Sequence, residues 1–251
     1  MKKIIKDLLN KLGYKIDRIK KDVYPIDISN EIIKKYQDIE PFTVTSIERV
    51  AALLDSVKYI VNNNINGDFV ECGVWKGGSC MLIAKELIKQ NNLNRNIWLY
   101  DTFDGMTQPT DDDIETETGI QGKDLLSNVE KTTEKFNMWA YAPIEEVKNN
   151  MLKTNYPIDN IKYIKGKVED TLKSNTPRKI ALLRLDTDWY ESTKIELETL
   201  YPLITKGGIL IIDDYGHFEG AKRAVDDYFR KINQQPLLNR IDYTGRLIIK
   251  T

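Results

Sequence analysis

One histidine and two cysteines in 251 residues leave little material for a transition-metal centre. Cys72 and Cys80 lie in apolar surroundings without CxxC spacing, so neither a zinc site nor a disulfide framework is expected. Net charge is also lacking. With 37 basic and 38 acidic residues the balance is −1, which excludes a global field that would draw the chain to nucleic acid or to an anionic membrane. No uncharged apolar run approaches the ~20 residues that cross a bilayer. The first 22 residues, MKKIIKDLLNKLGYKIDRIKKD, interrupt their apolar pattern with lysine, which predicts an amphipathic surface helix rather than a signal peptide. Repeats and low-complexity tracts are absent as well. These absences together predict a reduced, cytoplasmic protein with no nucleic-acid partner and no membrane span.

What is present is an alternation of apolar patterns. Residues 42–61 repeat their apolar positions at helical spacing and stop at Asn62-Asn63-Asn64. Strand-like runs at 68–74, 96–101, 161–166, 179–186 and 207–214 alternate with helical segments at 77–90, 168–174, 192–202 and 220–232. Strands with nearly all-apolar interiors, alternating with helices, predict an α/β fold whose mostly parallel sheet is covered on both faces. Two last strands, 236–241 and 245–250, are joined by Asp242-Tyr243-Thr244-Gly245 and predict a hairpin that adds an antiparallel strand at one end.

The polar residues at the strand tips carry the functional signal. Four strands end in acids, at Glu71, Asp101, Asp186 and Asp213. Each alone is as readily the N-cap of the following helix as a ligand group. Four together point to the crevice beyond the carboxyl ends of the strands, where open α/β sheets bind ligands. In ECGVWKGGS (71–79) the glycines allow a ligand to approach the turn from strand to helix, but the spacing is neither GxGxxG nor GxxxxGK[ST]. Asp101 ends the second strand, where an acid can take both hydroxyls of a ribose. Phe103 either packs on an adenine or fills the core.

The motifs EXGXW, DTFDG, LRLDTDWYEST and YPLITKGGILIIDDYG followed by AVDDYF resemble the macrocin O-methyltransferase family, from about Thr43 to Asp227. These are class I S-adenosylmethionine-dependent, magnesium-using enzymes that methylate sugar hydroxyls. The resemblance implies a Rossmann-like fold with a seven-stranded, mostly parallel sheet. It divides the chain into a helical extension (1–66) packed on the core and a methyltransferase domain (67–251). For S-adenosylmethionine it implies contacts from Thr43, from Glu71, Gly73, Val74 and Trp75 at the methionine and ribose end, from Asp101, Thr102, Phe103 and Gly105 at the adenosine, and from Val168 at the adenine. A small-molecule carbohydrate acceptor and a homo-oligomer, dimer or higher, are implied in the same way.

The acid pairs then take a chemical meaning. A sugar hydroxyl is scarcely ionised at neutral pH, so a divalent cation that stabilises its alkoxide and fixes its position assists methylation. Magnesium prefers oxygen ligands, and Asp186, Asp213 and Asp214 supply them from neighbouring tips. The similar layout of catechol O-methyltransferase favours Asp186 over Asp188 as ligand and leaves Asp188 as general base. The reverse, with Asp188 on the metal and Asp186 on the cofactor amine, stays open.

The polar stretch 104–136 is too long for a plain connection and is either a lid or a disordered surface loop. The resemblance favours a lid insertion over about 104–150. His217 is expected in a solvent-exposed loop. A non-sugar acceptor, such as a catechol-like diol or a phosphorylated precursor, and a non-catalytic cofactor-binding module are the alternatives.

Overall fold

The computed structural model describes residues 24–134 and 136–251, so the surface helix expected over 1–22 lies outside the described residues. Eight α-helices among those residues are numbered here in chain order: α1 (Asn30–Ile39), α2 (Ile47–Asn62), α3 (Gly78–Lys89), α4 (Gly122–Ser127), α5 (Ile144–Leu152), α6 (Val168–Thr171), α7 (Tyr190–Leu200) and α8 (Glu219–Lys231). The strands are β1 (Asp68–Cys72), β2 (Ile97–Asp101), β3 (Ile161–Lys165), β4 (Ile180–Leu185), β5 (Ile204–Ile212), β6 (Asn239–Arg240) and β7 (Arg246–Ile249). They form one sheet in the order β3-β2-β1-β4-β5-β7-β6. β1 to β5 pair in parallel, and β7 runs antiparallel to both β5 and β6.

The apolar strand interiors follow from burial on both faces, since successive side chains point to opposite sides. Phe69, Leu182, Ile209 and Ile211 join the cluster under α1, α2, α3 and α5, whereas Val70, Leu183, Leu210 and Ile212 join the one under α7 and α8. α1 and α2 send Ile39, Val50, Leu54 and Ile60 into the first cluster, so the segment ahead of β1 covers one face of the sheet.

Several expected boundaries move: β5 begins at Ile204 rather than 207, and α6 ends at Thr171 rather than 174. The helix predicted over 42–61 begins at Ile47, because Ser46 Oγ accepts the Arg49 N–H and caps it there. Ahead of it Glu40–Phe42 form a 3₁₀ turn and Thr43 is extended. The closing hairpin keeps its predicted topology, but its first strand shrinks to Asn239–Arg240, both exposed at the sheet edge.

Strand register aligns the tips. Cys72, Leu185 and Ile212 are neighbours across β1, β4 and β5. The ladder extends one residue further, with the Asp186 N–H bonded to the Cys72 carbonyl at 2.9 Å and the Asp213 N–H to the Leu185 carbonyl at 2.9 Å. Gly73, Asp186 and Asp213 therefore stand in a row. A side chain on Gly73 would collide with the backbone of Asp186, and its φ of 78° is left-handed, so glycine is required there.

Candidate active site

A cavity of about 310 Å³ opens beyond this row. Thr43, Glu71, Gly73, Val74, Trp75, Asp101, Thr102, Gly105, Val168, Asp186, Asp188, Asp213 and Asp214 all line it. Among the residues expected at the site, only Phe103 stays out of the lining; its side chain is 3% exposed and packs in the core.

At the β1–β2 end the cavity is built from backbone organised by one carboxylate. Asp101 Oδ2 accepts the N–H groups of Val74 (2.8 Å) and Trp75 (3.2 Å), and Oδ1 accepts that of Phe103 (2.7 Å). Trp75 and Phe103 have φ of 44° and 49°, a region unfavourable for side-chain-bearing residues, and Asp101 holds both turns there. Burial nevertheless outweighs these donors and raises the Asp101 pKa above its ordinary value. Thr43 to Thr45 also line the cavity, because Gly78, lacking a side chain, lets the Phe42 carbonyl and Thr43 Cβ lie against the start of α3. Thr45 Oγ1 is buried with no hydrogen-bond partner among the described residues, an open donor and acceptor beside the cavity.

At the β4–β5 end the cavity is built from charge. Period-two alternation puts Glu71, Arg184, Asp186 and Asp213 on the α2 face of the sheet. Arg184, 3% exposed, donates to Glu71 Oε1, Asp186 Oδ2 and Asp213 Oδ1, each at 2.5 Å. Glu71 also accepts from Cys80 Sγ at 2.8 Å, so this expected cofactor contact is held by two protein donors. Arg49, in the first turn of α2, takes Asp213 Oδ2 and bonds Asp242 at 3.0 Å. Both oxygens of Asp213 thus face guanidinium groups.

The remaining aspartates face one another. Asp186, Asp188 and Asp214 each place a carboxylate oxygen within 4.8 Å of the others. Burial first, then the charges of Asp188, Asp186 and Asp213, push the Asp214 pKa well above the usual range. Burial likewise raises Asp186 well above that range, although Arg184 opposes the rise, and raises Asp188 to a lesser degree. An all-oxygen set short of positive charge suits a hard divalent cation. Asp213 stands outside the group in this arrangement, with its arginines in place.

The acidic insertion is ordered and tied to both tip loops. Asp113, fully buried, accepts from the Tyr190 N–H at the start of α7 (2.7 Å) and from Thr110 N (2.7 Å) and Oγ1 (2.9 Å). Trp189 Nε1 donates to the Thr107 carbonyl at 3.1 Å. On the β5 side, the Thr116 N–H bonds the His217 carbonyl and the Glu219 N–H the Ile114 carbonyl. Towards its end the insertion joins the core through Val147 and Met151 of α5. His217 differs from expectation, because its ring, bonded through Nδ1 to the Tyr243 hydroxyl at 2.7 Å, lines the cavity. The turn that seats Asp214 folds it inward, its N–H bonding the Asp214 carbonyl.

Arg49, Arg184 and Asp113 were not singled out in the sequence. Arg184 carried a signal, a lone charge inside the apolar run LLRLD. Arg49 and Asp113 carried none, since one resembles any helix-surface arginine and the other any loop acid.

The strand order and a cavity beyond the tips of a mostly parallel sheet define a class I, Rossmann-like methyltransferase. The chain spans 84% of its length in superposition on the structure of the O-methyltransferase NovP, covering 82% of that chain with a TM-score of 0.72 and 31% sequence identity. It belongs to the macrocin O-methyltransferase (TylF) family, whose profile matches residues 33–249. Demethyldecarbamoylnovobiocin O-methyltransferase of Streptomyces niveus is 32% identical over 203 residues, 81% of this chain and 73% of the relative. Mycinamicin III 3''-O-methyltransferase of Micromonospora griseorubida is 28% identical over 187 residues, 74% of this chain and 69% of the relative. The protein is an S-adenosylmethionine-dependent O-methyltransferase. No helix among the described residues is long and apolar enough to cross a membrane.

Proposed function

We propose that this enzyme methylates a hydroxyl of a sugar or sugar-containing acceptor, with Mg²⁺ held by Asp186, Asp213 and Asp214 and with Asp188 as general base. The observation that supports the reading is that Asp186, Asp188, Asp213 and Asp214 line one cavity together with the turns held by Asp101. The rhamnosyl group in the name of a Streptomyces olivaceus relative, 8-demethyl-8-(2,3-dimethoxy-alpha-L-rhamnosyl)-tetracenomycin-C 4'-O-methyltransferase, 30% identical over 203 residues, supports the acceptor class. When bound, the cation lowers the cost of developing negative charge on the acceptor oxygen.

The protein's own residues do the rest. Asp101 and the turns at Val74 to Trp75 hold the cofactor, with Thr43, Thr45 and Val168 closing its walls. Asp188 takes the hydroxyl proton as the acceptor oxygen bonds the methyl carbon and the carbon–sulfur bond breaks, leaving S-adenosylhomocysteine. Burial raises the Asp188 pKa above the ordinary carboxylate value, which makes the group a stronger base. A second arrangement, with Asp188 as third ligand in place of Asp213, is favoured by the grouping of its oxygen with those of Asp186 and Asp214. Mass spectrometry of products from a panel of glycosides and nucleotide-linked sugars, before and after chelation, tests the function. Methylated sugar that disappears with chelator and returns with Mg²⁺ is expected. Turnover indifferent to exhaustive chelation overturns the metal, and turnover only on catechol-like diols overturns the sugar.

A further inference from the structure

Asp213 is the one proposed ligand whose two oxygens are both taken by cationic side chains. Arg184 on Oδ1 comes from within the sheet, whereas Arg49 on Oδ2 reaches in from α2. Arg49 is 15% exposed at its side chain, and it lines the cavity. It also has a second anchorage, because its Nε bonds Asp242 Oδ2 at 3.0 Å.

Asp242 does not depend on Arg49. It accepts from Ser46 Oγ (2.7 Å), Thr244 N (2.9 Å) and Gly245 N (2.6 Å), which fix it in the turn between β6 and β7. Asp213, for its part, keeps Arg184 when Arg49 leaves. The guanidinium thus has a resting place at Asp242 without Asp213, and Asp213 has a counter-charge without Arg49.

We propose that Arg49 is a competitor for the metal built into the fold: Asp213 Oδ2 is held by the Arg49 guanidinium or by the divalent cation, and not by both. This rests on the reading of Asp213 as a ligand. Loading the cation moves Arg49 wholly onto Asp242, and the change reaches the cofactor wall, since Arg49 belongs to the first turn of the helix that Thr43 to Thr45 lead into. Arg49 acts as a positioning residue, keeping Asp213 ion-paired and correctly aimed until the cation arrives, at the cost of weaker metal affinity.

Calorimetric titration of the full chain with Mg²⁺, and with Mn²⁺ as a second probe, tests this. Arg49→Met keeps the apolar stem and removes the charge, so it is expected to bind either ion about tenfold more tightly or better, because the ion no longer displaces a guanidinium from Asp213 Oδ2. In an Asp213→Asn background the same substitution is expected to change affinity little. That second arm separates exchange at Asp213 from general repulsion, which would persist without the carboxylate. Arg49→Gln serves if the methionine variant does not fold.

Equal or weaker binding in a folded Arg49 variant overturns the competitor, as does a full effect in the Asp213→Asn background. If the wild type binds metal and Asp214→Asn does not, such a result leaves the metal reading standing. If neither the wild type nor the Arg49 variant binds either ion, both fall.

Discussion

The two ends of the cavity are held together by opposite means. Around Asp101 a single carboxylate satisfies three backbone N–H groups and keeps two left-handed turns in place, so shape is set by the main chain. Around Arg184 shape is set by charge, with two guanidiniums distributed among Glu71, Asp186, Asp213 and Asp242 while Asp188 and Asp214 stand without a basic partner. The first end meets its carboxylate with backbone donors alone. The second is short of positive charge, and on the proposed reading the first end recognises the cofactor and the second prepares the reaction.

Substitutions can break that comparison at either end. The largest effect is expected at Asp188, where Asp188→Asn should lower kcat by about 10²–10⁴, the usual contribution of a general base, with partial recovery at high pH. Steady-state kinetics with unchanged Mg²⁺ and cofactor affinities checks this, and loss of Mg²⁺ binding would place Asp188 on the metal instead. Next in size, Arg184→Met leaves buried carboxylates without their shared counter-charge and should cost about 3–5 kcal/mol of stability in urea unfolding. A loss below 1 kcal/mol would mean that the carboxylates simply take up protons.

At the other end Asp101→Ala should weaken S-adenosylmethionine binding by about 1.5–3 kcal/mol, as for the loss of a charge-assisted hydrogen bond, in a protein that still folds. Calorimetry giving an unchanged affinity would confine Asp101 to bracing the turns.

The smallest effect is expected at Glu196 on α7, fully buried with Oε1 unpartnered and Oε2 accepting from Thr187 Oγ1 at 3.1 Å. Burial raises its folded-state pKa well above the ordinary 4.5. The folded state therefore binds this proton more tightly than the unfolded chain. The stability so gained is fully present below about pH 4.5 and is lost as pH rises through the folded pKa. Glu196→Gln should raise Tm by a few degrees at pH 8 and by less at pH 5. An equal change at both would show that the carboxyl does not titrate differently on folding.

The fold was legible because its signals are repetitive. Apolar strands buried on both faces, alternating with helices, leave few arrangements open. The acids at the tips were legible for the converse reason, as charges that close apolar runs. What stayed hidden depends on distance in the chain. Arg49 meets Asp213 across 164 positions, and nothing near Arg49 in sequence distinguishes it from a solvated helix charge. Asp113 and Tyr190 lie 77 apart and join the insertion to the start of α7 through a backbone N–H, which no side-chain pattern reveals. Asp101 was legible as a site residue, but its hold on the N–H groups of Trp75 and Phe103 was not, because left-handed backbone at an aromatic residue has no signature in composition.

The contact between Gly78 and Phe42 has a consequence for how this protein can be cut or recombined. The segment ahead of α2 lies flush on the start of α3 and supplies Thr43 and Thr45 to the cavity lining. What looks in one dimension like a leader ahead of the catalytic unit is in three dimensions one of its walls. A chimera joined just before β1 would inherit the sheet and every aspartate that lines the cavity, yet would close that cavity with a stranger's residues in place of Thr43 and Thr45.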